Sequence, residues 1–216
     1  MIHSNFHQGS VLAVGAHPDD IELGCGATLS RHIEEGIHVV AAVMTAGRKG
    51  TDSNEYNRAE ETRRALAHLG VQSVFCFDFD DTLLGHQLDG LITSLESVMM
   101  NKIPAGISFS RVYTMCPSDR HQDHRAVYDA TIVACRSVGQ ILTYETPSSW
   151  SFFQPNVFSD IAYHHLDNKL RAILEHKSQQ HRIYMQPDQI RSVARFRGLQ
   201  AGCEMVEAFA VHKMVI

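Results

Sequence analysis

The chain has 216 residues, 44% of them hydrophobic, and 24 acidic against 19 basic side chains give a formal net charge of −5. That length can bury one α/β core without staples, the acidic balance argues against a nucleic-acid partner, and the strand-sized apolar runs leave no candidate membrane span. Five widely spaced cysteines with no Cys-x-x-Cys pair read as reduced thiols, and the first seven residues lack the basic-then-apolar form of a signal peptide, so a cytoplasmic protein is expected.

Apolar runs alternate with helical patterns along the chain. Residues 12–16 are a predicted first strand, followed by a helical pattern that starts near Cys25. Leu29 and Ile33 lie at helical spacing within 27–35, and Gly36 closes that helix. Residues 38–44 are a second buried strand. Residues 45–54 are polar, contain glycine, and exceed a simple connection, which marks them as a functional or mobile loop. Residues 57–69 put Ala59, Thr62, Ala65, Leu66 and Leu69 on one helical face. A third strand at 74–77, a helix at 88–99, a fourth strand at 111–116, a helix at 122–138 and a fifth strand at 141–145 continue the alternation. This regularity predicts a mostly parallel sheet with helices on both faces. Beyond Thr146 the pattern loosens. Residues 148–157 hold the only tryptophan, Trp150. An edge strand is expected at 158–163, helices at 166–180 and 189–208, and a last strand at 209–215. No linker, repeat or low-complexity segment divides the chain, so residues 1–216 form a single domain.

Two polar clusters stand out. Ala16-His17-Pro18-Asp19-Asp20-Ile21-Glu22 joins the first strand to the first helix, a junction where open α/β sheets place ligands. Pro18 forces a turn. Adjacent Asp19 and Asp20 then tend to point to different sides, so one can bind a cation while the other stays free for proton transfer. His17 and Asp20, three apart in a tight turn, make a plausible half of a zinc site. The blander alternative is a solvated turn or a helix cap. The second cluster, Asp119-Arg120-His121-Gln122-Asp123-His124, follows the fourth strand. Asp119 and Gln122 fit a capping box, so a helix should begin there. His121 and His124 then share its first turn, where both can bind metal or one can bind while the other works beside it. Asp123 is placed to orient a ring nitrogen. Both clusters follow strand C-termini, which share one edge of a parallel sheet, so they can meet. With 14 histidines in the chain, no single one is informative.

The first cluster together with His121-Gln122-Asp123-His124 resembles the PIG-L/LmbE-like family of zinc-dependent N-deacetylases. Tyr144-Glu145-Thr146-Pro147-Ser148-Ser149 and the tail from Arg195-Phe196-Arg197-Gly198 to Glu207-Ala208-Phe209 are similar too. The resemblance implies a Rossmann-like sheet and hydrolysis of the acetamide of an N-acetylated amino sugar, an N-acetylglucosamine derivative or conjugate. It implies zinc, or iron(II) in the cell, held by His17, Asp20 and His124. Asp19 would be the general base, and His121, if protonated, would face the oxyanion and later protonate the leaving amine. Glu22, from position alone, orients the loop or an imidazole. Where family members often carry an acidic residue after the second-strand glycine, this chain reads Gly47-Arg48-Lys49-Gly50. Arg48 and Lys49 are therefore candidate contacts for an anionic substrate group, with Arg58 and Arg120 as further candidate substrate contacts. A small-molecule partner is expected, with a homo-oligomer left open.

The sequence also supports two rival readings. Asp78-Phe79-Asp80-Asp81-Thr82 has the Asp-x-Asp-x-Thr form of haloacid-dehalogenase-type phosphatases, with Asp78 as nucleophile, Asp80 as acid/base and magnesium as cofactor. Against it, two strand–helix units precede the motif and no later Gly-Asp-x-x-x-Asp follows. Asp81 better matches the acidic residue that the deacetylases carry after the third strand. The other rival is a sugar-binding member of the fold without catalysis.

Overall fold

The computed structural model describes residues 9–50, 57–101, 108–149 and 151–216. Trp150, the first eight residues and the far part of the 45–54 loop lie outside them. The elements in chain order are β1 (Ser10–Gly15), α1 (Asp20–Glu34), β2 (Val39–Thr45), α2 (Arg58–His68), β3 (Ser73–Phe79), α3 (Leu88–Asn101), β4 (Phe109–Thr114), α4 (Gln122–Ala134), β5 (Gln140–Tyr144), β6 (Val157–Asp160), α5 (Tyr163–Leu174), α6 (Pro187–Ala201) and β7 (Val206–Met214). Three short 3-10 turns supplement them, two of these between α5 and α6.

The seven strands form one sheet in the order β3-β2-β1-β4-β5-β7-β6. β3 through β5 pair in parallel, and β7 pairs antiparallel with both β5 and β6. β1 and β2 are buried along their whole length, which is why they read as unbroken apolar runs. α1 and α2 pack with α5, while α3 and α4 pack together. Strand order reverses between β1 and β4, and the crevice at such a switch point is where doubly wound sheets bind ligands.

Several boundaries differ from expectation. α1 begins at Asp20 rather than near Cys25; Gly24 and Gly26, poor helix formers, disguise its first turns. Asp20 and Glu22 lie in its first turn, where carboxylates complement the helix dipole. α5 ends at Leu174, six residues before the expected end. α6 ends at Ala201 because Gly202 takes a left-handed φ of 70°, and β7 starts at Val206 instead of 209.

α1 is also tied to β7 and α5 in mid-length. The Glu207 carboxylate accepts the backbone N–H groups of Ala27 (3.1 Å) and Thr28 (2.6 Å). Lys169 Nζ donates to the Leu23 carbonyl (2.7 Å) and to Glu207 Oε1 (2.6 Å). Gly24 and Gly26 permit the close approach: a Cβ on Gly24 would overlap the Tyr144 ring, and one on Gly26 would meet Lys169 Cγ at 3.3 Å.

Candidate active site and metal centre

The two polar clusters meet at the C-terminal edges of β1 and β4. In the first, Asp19 sits at φ 99°, a left-handed value rare for a residue with a Cβ, and its side chain makes no capping bond to α1. The carboxylate is therefore not spent as a cap. The turn sends the two adjacent aspartates apart. Asp20 Oδ2 accepts the His17 backbone N–H at 2.7 Å and faces His17 Nδ1 at 3.4 Å, and Asp20 Oδ1 faces His124 Nε2 at 3.3 Å. Asp19 turns towards Arg58, whose Nη2 is 3.5 Å from its Oδ2.

His17 Nδ1 and His124 Nε2 are 3.3 Å apart. Two imidazole nitrogens and a carboxylate thus stand 3.3 to 3.4 Å apart, the carboxylate meeting His17 through Oδ2 and His124 through Oδ1. A tetrahedral ion bonded at about 2.0–2.1 Å spaces its ligands about 3.3–3.4 Å apart, so the donor set fits zinc in size and in chemistry. The far side of each ring is fixed. His17 Nε2 faces Asp123 Oδ2 (3.1 Å) and Asp81 Oδ1 (3.2 Å), and His124 Nδ1 faces Asp119 Oδ2 (3.0 Å). Carboxylates behind both rings accept from the outer nitrogens and orient the inner nitrogens towards one another. Burial opposes protonation of either ring, yet the surrounding carboxylates win: His17 is raised well above the usual histidine range and His124 to about 9. Asp20, despite burial, is held well below its usual value by His124 and His17. These are the shifts of donors around a point of negative potential, where positive charge is stabilised.

His121 also lies in this cluster, its ring 4.7 Å from those of His17 and His124. Its role at the helix end sets it apart. It is the residue that caps α4, its Nδ1 accepting the Asp123 backbone N–H at 3.2 Å. With Nδ1 occupied as acceptor, the neutral ring carries its proton on Nε2 and points an N–H outward. Burial and the charges on His17 and His124 lower its pKa, which favours this neutral form. The expected capping role of Asp119 therefore passes to His121. Asp119 is a wholly buried hub instead. Its Oδ1 accepts from the His121 N–H (2.8 Å) and the Ser148 hydroxyl (2.6 Å), and its Oδ2 from the Thr146 hydroxyl (2.7 Å). Burial opposes ionisation, but His124 and these donors hold it down to about 2.

The remaining candidates divide clearly. Asp123 is bonded to the Thr82 and Leu84 backbone N–H groups as well as to His17. Glu22 is fully buried, with its Oε1 3.0 Å from the Nε2 of His176. Arg58 lines the cleft but is largely buried, and it donates to the carbonyls of Gly47 and Pro18, both at 3.0 Å, and so braces the Asp19 turn. Lys49 and Arg120 line the cleft, while Arg48 does not line it and pairs with exposed Asp78 at 2.7 Å. Asp78 and Asp80 are exposed at the end of the edge strand β3, and neither lines the cleft. Asp81 joins the site: it faces His17 and accepts the Lys49 backbone N–H, and these hold its pKa at about 2 against burial. Asp19 moves the other way. Burial and the Asp20 charge push it up to about 6, although Arg58 and His176 pull it back. The cleft holds about 440 Å³, and Arg182 and Tyr184, from the turns after α5, complete its wall. No local motif announces these two residues.

Comparison with known proteins agrees with this geometry. The family profile described as PIG-L, GlcNAc-PI de-N-acetylase, matches residues 12–135, which include both polar clusters. An uncharacterized deacetylase of Escherichia coli K12, YaiS, is 50% identical over 168 residues, covering 78% of this chain and 90% of that protein. The diacetylchitobiose deacetylase of Thermococcus kodakarensis is 29% identical over 189 residues, covering 78% of this chain and 69% of that one. The crystal structure of the conserved protein TT1542 from Thermus thermophilus superposes with a TM-score of 0.81 over 96% of each chain, at 23% identity, a likeness of fold. A core that brings His17, Asp20 and His124 together, a profile that spans them and a relative identical at half of its aligned positions lead to one assignment: the chain belongs to the PIG-L family of deacetylases.

Proposed function

We propose that the protein is a zinc-dependent N-deacetylase that hydrolyses the acetamide of an N-acetylated amino sugar, an N-acetylglucosamine derivative or conjugate. The observation that carries this reading is the set of His17 Nδ1, Asp20 and His124 Nε2, with both rings backed by carboxylates. A zinc ion held by these residues would polarise the amide carbonyl and ease deprotonation of a water at neutral pH. Asp19 is the base that takes the water proton. Its raised pKa suits the task, since it binds that proton firmly enough to hand one on to the departing amine nitrogen. The water oxygen adds to the carbonyl carbon, the C–N bond breaks, and acetate and a free amine leave. His121 points its Nε2–H at the oxygen where negative charge develops and stabilises it as a neutral donor. The capping bond at Nδ1 leaves Nε2 as the His121 nitrogen free to meet the substrate. Arg58 holds Asp19 in place, and Lys49 and Arg120 meet the sugar or its substituents at the cleft wall.

The test is release of free amine from a panel of N-acetylated amino sugars by purified protein, before and after chelation and with zinc restored. Metal content is measured on the same samples. Activity that chelation abolishes and zinc restores is expected. Protein that carries no transition metal and releases no amine from any member of the panel would overturn the proposal.

A further inference from the structure

Two non-glycine residues among those described take a left-handed φ, Asp19 at 99° and Thr82 at 66°, and both line the metal cleft. At Asp19 the turn sends the carboxylate to Arg58. Thr82 needs a reason of its own. It is β-branched, and such a side chain crowds its own backbone in the left-handed region. It stands third in the turn 80–83, which the Leu83 N–H closes on the Asp80 carbonyl at 3.1 Å. With a left-handed φ, that position calls for glycine or asparagine.

The backbone of Thr82 is engaged on both sides. Its N–H donates to Asp123 Oδ2 at 2.7 Å, the oxygen that also faces His17 Nε2, and its carbonyl accepts the Gln122 side-chain amide. Glycine would make both bonds without strain, so neither explains a threonine. What threonine adds is Oγ1, and that oxygen accepts from Lys49 Nζ at 3.3 Å. Nζ also donates to the Asp81 carbonyl at 2.7 Å, and the Lys49 backbone N–H donates to Asp81 Oδ2 at 3.0 Å. One dipeptide, Asp81-Thr82, therefore holds Lys49 at its backbone and at the tip of its side chain. Lysine has a flexible four-carbon stem and three N–H donors on its ammonium. Two acceptors fix where the charge sits and leave one N–H for a ligand in the cleft, which Lys49 also lines.

We propose that Thr82 is a positioning residue: its hydroxyl holds the Lys49 ammonium at the cleft wall, and the strained backbone is retained for the sake of that hydroxyl. Strained residues persist where their surroundings over-determine them, and they cluster at functional sites. A cation ordered before the substrate arrives loses less freedom on binding, so the clamp acts on substrate affinity more than on the chemical step. That gain rests on the deacetylase reading; the hold on Lys49 does not.

The test separates hydroxyl from strain with three substitutions. Thr82→Ser keeps the hydroxyl, Thr82→Val keeps the branched crowding without it, and Thr82→Gly removes both. The first readout needs no activity. Brief labelling with acetic anhydride, read by mass spectrometry, gives the reactivity of Lys49 relative to exposed Lys177. Acylation needs the nitrogen to turn its lone pair outward, which acceptors on its N–H groups oppose. The Lys49-to-Lys177 ratio should rise about threefold or more in Thr82→Val and Thr82→Gly, and Thr82→Ser should restore it. In urea, the metal-free Thr82→Gly protein should unfold at a higher midpoint than Thr82→Val, because only the branched residue is crowded. KM for N,N′-diacetylchitobiose should rise about threefold in Thr82→Val and Thr82→Gly, with a smaller change in kcat. In a Lys49→Met background the same substitutions should no longer move it. A labelling ratio that no substitution moves, a Thr82→Val protein as stable as Thr82→Gly, or a KM rise that persists without Lys49 would overturn the inference. The expected labelling pattern, with no amine released from any sugar of the panel, would support the clamp and count against the deacetylase reading.

Discussion

Asp119→Asn keeps the size of the side chain and removes one acceptor, which makes it a sharp probe of how His124 is presented. Oδ1 already takes one pair of donors, the His121 N–H and the Ser148 hydroxyl, and Oδ2 another, the Thr146 hydroxyl and His124 Nδ1, with the Ser149 hydroxyl more distant at 3.5 Å. An amide accepts through one oxygen only, so its NH₂ must face one of these pairs. Hydroxyls can rotate to accept, but the His121 backbone N–H cannot. If the NH₂ faces His124 instead, the ring relieves the conflict by moving its proton from Nδ1 to Nε2, the nitrogen aimed at the metal position. Loss of a buried acceptor should cost about 1–3 kcal/mol of stability. Loss of the carboxylate behind a metal-binding histidine should weaken zinc affinity and activity by about 10–100-fold. Urea unfolding gives the first quantity, zinc competition against a chelator the second, and amine release the third. A folded Asp119→Asn protein with wild-type zinc affinity and activity would show that Asp119 does not set the His124 tautomer.

Asp19→Asn should keep its zinc, because the carboxylate faces Arg58 rather than the donor set, and kcat should fall by roughly 10²–10⁴ with KM little changed. The assignment of roles fails if this variant loses zinc while Asp20→Ala retains it. Asp78→Asn removes an exposed ion pair with Arg48, so stability should change by less than about 1 kcal/mol and amine release should be unaltered; a matching loss of phosphatase activity would revive the Asp-x-Asp-x-Thr reading. His32 is buried, with Nε2 2.9 Å from the Tyr113 hydroxyl, and burial, with help from Arg111, holds its pKa at about 4. The unfolded chain therefore binds a proton here that the native chain refuses, and stability should fall as pH drops from the ordinary histidine value towards 4, by up to about 3 kcal/mol. Urea melts across that range should flatten in His32→Gln by a similar amount; identical pH profiles would show that His32 does not carry the dependence.

Much of the frame can be read in the chain itself. β1 and β2 are unbroken apolar runs because both of their faces are covered, and the alternation with helices places both polar clusters at one sheet edge. Pairings across long sequence separations cannot be read in this way. Asp119 fits a capping box in local sequence, and only Thr146 and Ser148, on the loop after β5, reveal it as the partner of His124. Nothing in the local sequence shows that Arg58, which lines the cleft, also holds the Pro18 and Gly47 carbonyls. The start of α1 is hidden by Gly24 and Gly26, whose lack of a side chain serves Tyr144 and Lys169 from elsewhere in the fold. Arg48 and Asp78, both open to a functional reading, satisfy each other on the surface.

The tie between Glu207 and the middle of α1 has a consequence for the order of events during synthesis. All three proposed zinc ligands lie in the first 124 residues, yet the helix that begins at Asp20 donates hydrogen bonds to a side chain 180 positions beyond Ala27. At about 5–20 residues per second, the ribosome needs about 4–17 s to travel from His124 to Glu207. During that interval the nascent chain carries both polar clusters without the strand that fixes the helix between them. The helix that carries Asp20 thus gains its Glu207 acceptor only once β7 has been made, and that strand acts as a late latch on the helix between the two clusters.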